Sequence, residues 1–183
     1  MLKHLVIDDI FSDPDAVVAR SKKFHFYSSE EENPKKPPDY WKGYRSDLLH
    51  ETDNQFYNNT LNEIFCKIFD IRLYGSNVDF AYSTHSYFHY LTSNNIQNDS
   101  WIHNDPSLFS AVVYLSKNPI PNSGTMFYDE EKRLSNVVEN RYNRLVMYNG
   151  RHFHSAQSGF GDNLDNSRLT LVFFMFNFMI TLK

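Results

Sequence analysis

The sequence predicts a mainly β fold with helices packed against it (α+β), and three observations carry that expectation. Helical periodicity is confined to the first part of the chain. From Val78 onward it gives way to short apolar runs separated by Asn, Asp, Gly and Pro turns. The chain is rich in bulky β-formers, with sixteen Phe and twelve Tyr, which suits a thick interior between strands. Six Gly and seven Pro are too few for a disordered or repeat chain. At 183 residues, a single domain spanning 1–183 can bury a substantial core.

The elements follow in order. Leu5-Val6-Ile7 reads as a short first strand. Ser12-Asp13-Pro14-Asp15 is a helix start, with a capping side chain, Pro in the first turn and an acid near the positive dipole end. That helix should run to about Lys23. Residues 28–47, with Pro34, Pro37, Pro38 and then Tyr40-Trp41-Lys42-Gly43-Tyr44-Arg45-Ser46, read either as a solvated loop or as a substrate-contacting flap. Thr52-Asp53 can cap a second helix that carries Phe56, Leu61, Ile64, Phe65 and Ile68 on one side, and Gly75 closes the helical half. Strands are expected at Val78 to Tyr90, Trp101 to Asp105, Ser110 to Leu115, Thr125 to Tyr128, Arg144 to Tyr148 and Arg168 to Phe178. Residues 1–77 would then support a β core formed by 78–183, as a sandwich or barrel.

Charge and cysteine usage exclude some roles. A net charge of −4 with no basic cluster gives no electrostatic reason to expect nucleic acid. Cys66 is the only cysteine, so no intrachain disulfide forms, and a reducing cytoplasm is expected. Its apolar neighbours suggest a buried structural thiol. The N-terminus reaches Asp8-Asp9 without a long apolar core, so no secretory signal is expected. The longest apolar run, from Leu169 to Phe176, is too short to span a membrane.

Chemistry concentrates in Trp101-Ile102-His103-Asn104-Asp105. On a strand, His103 and Asp105 point to one face. A bare His-x-Asp recurs by chance, so context decides. A distant imidazole, His152 or His154, would complete two imidazoles and one carboxylate, the facial set that holds non-haem Fe(II) with open positions. Arg168, fourteen residues after His154, offers a fixed planar fork for a carboxylate-bearing cosubstrate. Thr170 shares its face and adds a hydroxyl donor, and Tyr114 a phenol from the facing strand.

The order His-x-Asp, distal His, then Arg-x-Thr resembles the Fe(II)/2-oxoglutarate-dependent dioxygenases over about 78–178. The nearest branch is the prolyl-4-hydroxylase-like proteins, and within it small phage and bacterial members. Ser123-Gly124-Thr125-Met126-Phe127, Tyr142-Asn143-Arg144-Leu145-Val146, Phe153-His154-Ser155 and Gly43-Tyr44-Arg45-Ser46 are similar to that group. The resemblance implies a double-stranded β-helix (jelly-roll) core. It implies His103, Asp105 and His154 as iron ligands, with His154 preferred over His152. Arg168 would bind the far carboxylate of 2-oxoglutarate, helped by Tyr114 and Thr170. The group also carries a Tyr on the strand before His-x-Asp. Tyr82, Tyr87 and Tyr90 qualify, and Tyr90 is taken for that contact.

The activity implied is hydroxylation with O2 and 2-oxoglutarate as cosubstrates, release of succinate and CO2, and ascorbate as an auxiliary reductant. The substrate favoured is a peptidyl or amino-acid side chain, with other small molecules open. The compartment would be the cytoplasm (a host's, for a phage protein), and pairing through N-terminal helices is allowed. A jelly-roll or cupin-like metal-binding module without turnover is the alternative, and it has no need of Arg168 with Thr170. A zinc hydrolase would act independently of O2.

Overall fold

The structure, a computed structural model, describes residues 4–32, 41–69 and 78–182. The helical half comprises β1 (His4–Ile7), α1 (Pro14–Ser21), β2 (Phe26–Tyr27), α2 (Ser29–Glu32), β3 (Tyr44–Ser46), α3 (Leu49–Thr52) and α4 (Asn54–Phe69). Then come β4 (Val78–Leu91), a 3-10 turn (Asp99–Trp101), β5 (Phe109–Tyr114), β6 (Thr125–Tyr128), β7 (Leu134–Val138), β8 (Arg144–Asn149), β9 (His154–Ala156) and β10 (Arg168–Leu182). The expectation for Gly75 lies outside the described residues.

Local chemistry sets the helices. The Asp13 side chain accepts from Ala16 N at 3.0 Å with Pro14 in the first turn, so Asp13, and not Ser12, caps α1. Asp53 does the same for α4, accepting from Phe56 N at 3.1 Å. The buried residues Tyr57, Leu61, Ile64 and Phe65 recur at helical spacing along α4. Cys66 is only partly buried, which corrects the expectation of a buried thiol.

All strand pairs are antiparallel. Seven strands form one sheet in the order β1-β8-β5-β10-β4-β3-β2, and β7-β6-β9 form a second. The chain moves between the sheets as β4, β5, β8 and β10 alternate with β6, β7 and β9, which is the jelly-roll arrangement. The N-terminal segment does more than support this core. Its three short strands extend both edges of the large sheet.

Period-2 alternation divides that sheet between two tasks. One face carries Phe88, Val113, Leu145, Leu171 and Phe173, which cluster with Val17 of α1 and Leu61, Ile64 and Phe65 of α4. Each such fully buried large side chain contributes about 1.5–3 kcal/mol. The other face looks toward the small sheet. Val112, Tyr114, Val146 and Tyr148 there pack on Phe127 and Val138. Register places His89 beside Thr170, Thr170 beside Tyr114, and Tyr87 beside Val172 on this inner face.

Two local expectations are corrected. Residues Trp101 to Asp105 are not a strand. Asn98 Oδ1 accepts from Ser100 N at 3.0 Å and Ile102 N bonds to Asp99 O at 3.1 Å, which winds a 3-10 turn through Trp101. Pro106 then offers no N–H. What remains of sheet pairing is a single bridge between His103 and His154. The described part of 28–47 is also not a plain loop, since it forms α2 and β3. β3 lies against β4 through Gly43, whose φ is +76° and where an added Cβ would stand 2.3 Å from the Tyr90 carbonyl oxygen.

Candidate metal centre

His103 comes from the segment after the 3-10 turn, Asp105 follows two residues later, and His154 opens β9. His103 and His154 exchange backbone hydrogen bonds of 3.0 and 2.9 Å, and Asp105 N bonds to Gly150 O at 2.7 Å. These bonds bring the three side chains together without a second strand. His103 Nε2 stands 3.5 Å from Asp105 Oδ1, and His154 Nε2 stands 3.4 Å from Asp105 Oδ2. One ligand atom from each residue falls within 4.8 Å of the others.

The imidazoles are oriented for coordination. His103 Nδ1 is 2.7 Å from the Trp101 carbonyl and His154 Nδ1 is 2.8 Å from the His152 carbonyl. A carbonyl only accepts, so each Nδ1 carries the proton and each Nε2 keeps a lone pair. Asp105 is held by Ser110, whose Oγ donates to Oδ2 at 2.5 Å and is 2.8 Å from Ser107 Oγ. With metal–ligand lengths of about 2.1 Å, adjacent ligand atoms stand about 3 Å apart, so the two donor pairs need only small adjustments. Two neutral imidazoles and one carboxylate fit a divalent first-row metal, Fe(II) included.

His152 is not part of the cluster. A bend at His152, whose N bonds to Asn149 O at 2.9 Å, breaks the alternation that would have aligned it with His154. Its ring stacks on Phe127 instead, at 5.6 Å.

The structure places Arg168, Thr170 and Tyr114 together on the inner face of the large sheet. Arg168 is 2% exposed and donates from Nε to Ser123 O at 2.5 Å and from Nη2 to Gly124 O at 3.0 Å. Its guanidinium lies 5.4 Å from the Tyr114 ring centroid. Among the described residues no carboxylate lies within 4.0 Å of it, so this buried cation has neutral partners only. The Tyr114 hydroxyl is 2.7 Å from Thr125 Oγ1, and Thr170 Oγ1 donates to His89 O at 3.1 Å. The Thr170 proton is therefore committed to the backbone of β4.

Tyr90 is a correction. Side chains alternate along β4, and Tyr90 falls on the outer face, stacked on Tyr44 at 4.7 Å and edge-on to Phe26. Tyr87 is the upstream tyrosine on the inner face, and burial pushes its phenol up to about 12.

A cavity of about 1120 Å³ opens beside the cluster, lined by His103, Asp105, Trp101, Tyr87, His89 and Arg45 among others. Trp101 forms one wall of it. Arg168 does not line this space. The sequence reading missed Ser110 and His89, held Tyr87 only as one of three candidates and Arg45 only as part of the possible flap. Period-2 parity with Tyr114 marks Ser110, and parity within β4 groups His89 with Tyr87, but the inner face of each strand was not readable.

Burial, with the neighbouring His103 second, pushes His154 down to about 4, so its ring is neutral near pH 7. Burial opposes charge on His103 as well, but the Asp105 carboxylate facing its Nε2 and the Trp101 carbonyl at its Nδ1 favour a positive charge there, outweigh burial and raise its pKa. Burial opposes charge on Asp105, but the interactions with His103 and the Ser110 hydroxyl, with the second imidazole beside it, outweigh that and hold its carboxyl below the usual range. Burial, helped by the Arg45 charge, pushes His89 down to about 3, and its Nε2 is 2.6 Å from Lys42 O.

A folded-state pKa of about 3 means that the folded chain refuses a proton which the unfolded chain accepts below 6.5. His89 therefore reduces stability progressively as pH falls from 6.5 toward 3 and has no pH effect above 6.5. Against wild type, His89→Gln should flatten the dependence of urea-unfolding free energy on pH between 6.5 and 4 by up to about 1.4 kcal/mol per pH unit. Parallel curves for the two proteins would show that His89 protonates freely when folded.

No protein-family model matches this sequence, and no curated protein matches it. Solved structures do match by fold. A prolyl hydroxylase from Trichoplax adhaerens, in complex with a hypoxia inducible factor oxygen degradation domain peptide, aligns with a TM-score of 0.65 and 11% identity, over 95% of this chain and 83% of that one. A 2OG-Fe(II) oxygenase family oxidoreductase from Burkholderia pseudomallei aligns at 0.56 and 12%, over 95% and 84%. HygX from Streptomyces hygroscopicus, with nickel, 2-oxoglutarate and hygromycin B bound, aligns at 0.58 and 13%, over 94% and 82%. The chain thus has the jelly-roll fold of prolyl hydroxylases and 2-oxoglutarate–Fe(II) oxygenases, with a His103–Asp105–His154 cluster where its two sheets meet.

Proposed function

We propose that this protein is an Fe(II)- and 2-oxoglutarate-dependent oxygenase that hydroxylates a small-molecule or peptidyl substrate. The observation that carries the reading is the presence of two features in one chain. A cluster with two Nε2 lone pairs and one carboxylate accompanies a buried guanidinium on the inner face of the large sheet that has no acidic partner among the described residues, and the charges of Asp105 and Arg168 both act on the phenol of Tyr148. A metal-binding module needs the first feature and has no use for the second. The similarity to a prolyl hydroxylase with a bound peptide, and to HygX with nickel, 2-oxoglutarate and hygromycin B, supports the same reading and leaves both substrate classes in view.

His103, Asp105 and His154 would hold the iron, and Arg168 the far carboxylate of 2-oxoglutarate, with Tyr114 and Thr170 shaping that end. Bound there, iron and 2-oxoglutarate supply O2 activation coupled to decarboxylation of the cosubstrate to succinate and CO2. The chain's own contribution is orientation and exclusion of water. The Trp101 and His152 carbonyls keep both imidazoles in one tautomer. Ser110 holds one Asp105 oxygen while Oδ1 faces His103. Thr170, by bonding the His89 carbonyl, fixes β10 against β4 beside Arg168. Trp101, Tyr87 and Leu91 form an apolar wall beside the ligands.

Supplied with Fe(II), ascorbate and 2-oxoglutarate in air, the protein should release succinate slowly even without a prime substrate. Asp105→Ala should abolish that release. Tight Fe(II) binding with no 2-oxoglutarate binding would assign the chain instead to the class of metal-binding modules without turnover. Activity indifferent to O2 would point to hydrolytic chemistry.

A further inference from the structure

Arg45 is a cation in the cavity that the chemistry above does not use. It stands on β3, paired in register with His89 of β4, and lines the same space as His103 and Asp105. Its guanidinium carbon lies 4.3 Å from the Trp41 ring centroid and 4.9 Å from that of Tyr87. Arg45 Nε is buried without a hydrogen-bond partner. Among the described residues no carboxylate lies within 4.0 Å of the guanidinium. Its cross-strand neighbour cannot supply an anion, because His89 is neutral and donates to the Lys42 carbonyl. Two aromatic faces hold the fork in place, while a desolvated N–H of a cation is left without an acceptor. Such an arrangement is complete only when a ligand brings the anion.

The cosubstrate is the wrong ligand for this position. Arg168 already offers a more deeply buried cation for it. A cavity of about 1120 Å³ also leaves room well beyond a five-carbon diacid. Glu32, Asp47 and Glu51 line the cavity too, and their charges act on the phenol of Tyr27. Glu32 is held at the indole edge, accepting from Trp41 Nε1 at 2.9 Å, while Arg45 covers the indole face. A dianion would meet these acids unfavourably. A ligand with one carboxylate beside an ammonium or amide group meets both signs.

We propose that Arg45, clamped between Trp41 and Tyr87, binds a single carboxylate of the prime substrate, so that the enzyme selects substrates bearing one. The proposal rests on the oxygenase reading for its meaning as substrate selection, but its binding site stands on Arg45 alone. A free amino acid and the carboxyl end of a peptide present the same chemistry, and the probes separate them.

The test is an equilibrium titration of the chain loaded with Ni(II) and 2-oxoglutarate, read by the fluorescence of Trp41 and Trp101. The probes are free l-amino acids (tryptophan excluded) against their carboxamides, and N-acetyl amino acids against N-acetyl carboxamides. At least one acid should bind roughly tenfold or more tighter than its own amide. Preference within the free series identifies an amino-acid substrate, and preference within the acetylated series a peptide carboxyl end. Arg45→Gln should erase the acid-over-amide ratio and Arg45→Lys should retain part of it, which a merely structural role would not do. Equal binding of acids and amides, or no binding in either series, overturns the proposal. So does an Arg45→Gln variant whose main loss is in 2-oxoglutarate binding. If the wild type fails to bind metal or 2-oxoglutarate at all, the oxygenase reading fails. The acid-over-amide ratio, measured on the unloaded chain, still decides the role of Arg45.

Discussion

His154→Ala should lose tight Fe(II) binding, by more than about 100-fold, whereas His152→Ala should stay close to wild type. The expectation follows from where the two rings lie. His154 Nε2 is 3.4 Å from Asp105 Oδ2 and its Nδ1 proton is committed to the His152 carbonyl, so its lone pair has one place to act. His152 serves that arrangement through its backbone, which alanine keeps, and its ring packs on Phe127. Anaerobic Fe(II) or Co(II) titration by calorimetry measures the difference. His154→Ala also empties a site against Tyr148, whose ring centroid is 4.5 Å away, so a modest loss of stability should accompany it. Undiminished affinity in His154→Ala, or a large loss in His152→Ala, would exchange the two assignments.

Arg168→Lys should raise the 2-oxoglutarate requirement roughly 10- to 100-fold, as loss of a charge-assisted, two-point contact implies. Metal affinity should change little. Arg168 already spends Nε on Ser123 O and Nη2 on Gly124 O, and these bonds hold the fork rigid while the charge stays uncompensated. An ammonium is a point charge with no planar fork. It cannot satisfy both carbonyls and still face an anion in one geometry. The buried Ser123 and Gly124 carbonyls would also lose donors, at about 1–3 kcal/mol each, so the variant should unfold at lower denaturant concentration. Succinate formation against 2-oxoglutarate concentration, read beside metal content, is the measurement. An unchanged requirement would remove Arg168 from the cosubstrate site and direct attention to Arg45.

Legibility differed between elements for physical reasons. The caps at Asp13 and Asp53 and the spacing of Leu61, Ile64 and Phe65 are local signals, and the helices formed where those signals stood. β5, β6 and β8 were visible because they are short apolar runs between turn residues. β7 was not, because Leu134 and its neighbours are largely exposed and carry no alternation to read. β2 and β3 owe their existence to a neighbouring edge: two or three residues become strand only when β4 offers its backbone, and Gly43 allows the approach.

The candidate site shows the same division. The side-chain types of the cluster and their order along the chain, His103, Asp105, then His154, were legible as chemistry. His103 and Asp105 do not share a strand face. They converge through a 3-10 turn and two anchoring backbone contacts, to His154 and Gly150. Tyr90 was expected on the inner face because β-register is unreadable from one strand. A shift of one residue exchanges faces, and only pairing with β10 puts Tyr87 inward and Tyr90 outward.

From the sequence alone came the class of fold, the positions of the helices and most long strands, and the two imidazoles and one carboxylate that the fold brings together. These depend on composition, local caps and short-range periodicity, which the chain carries wherever it is read. The tertiary structure decided which imidazole faces Asp105, which face of β4 lines the cavity, and that Arg45 stands beside the His–Asp–His cluster with no carboxylate partner among the described residues. Those outcomes depend on strand register and on backbone contacts between residues tens of positions apart. Such contacts exist only once the two sheets have closed on each other.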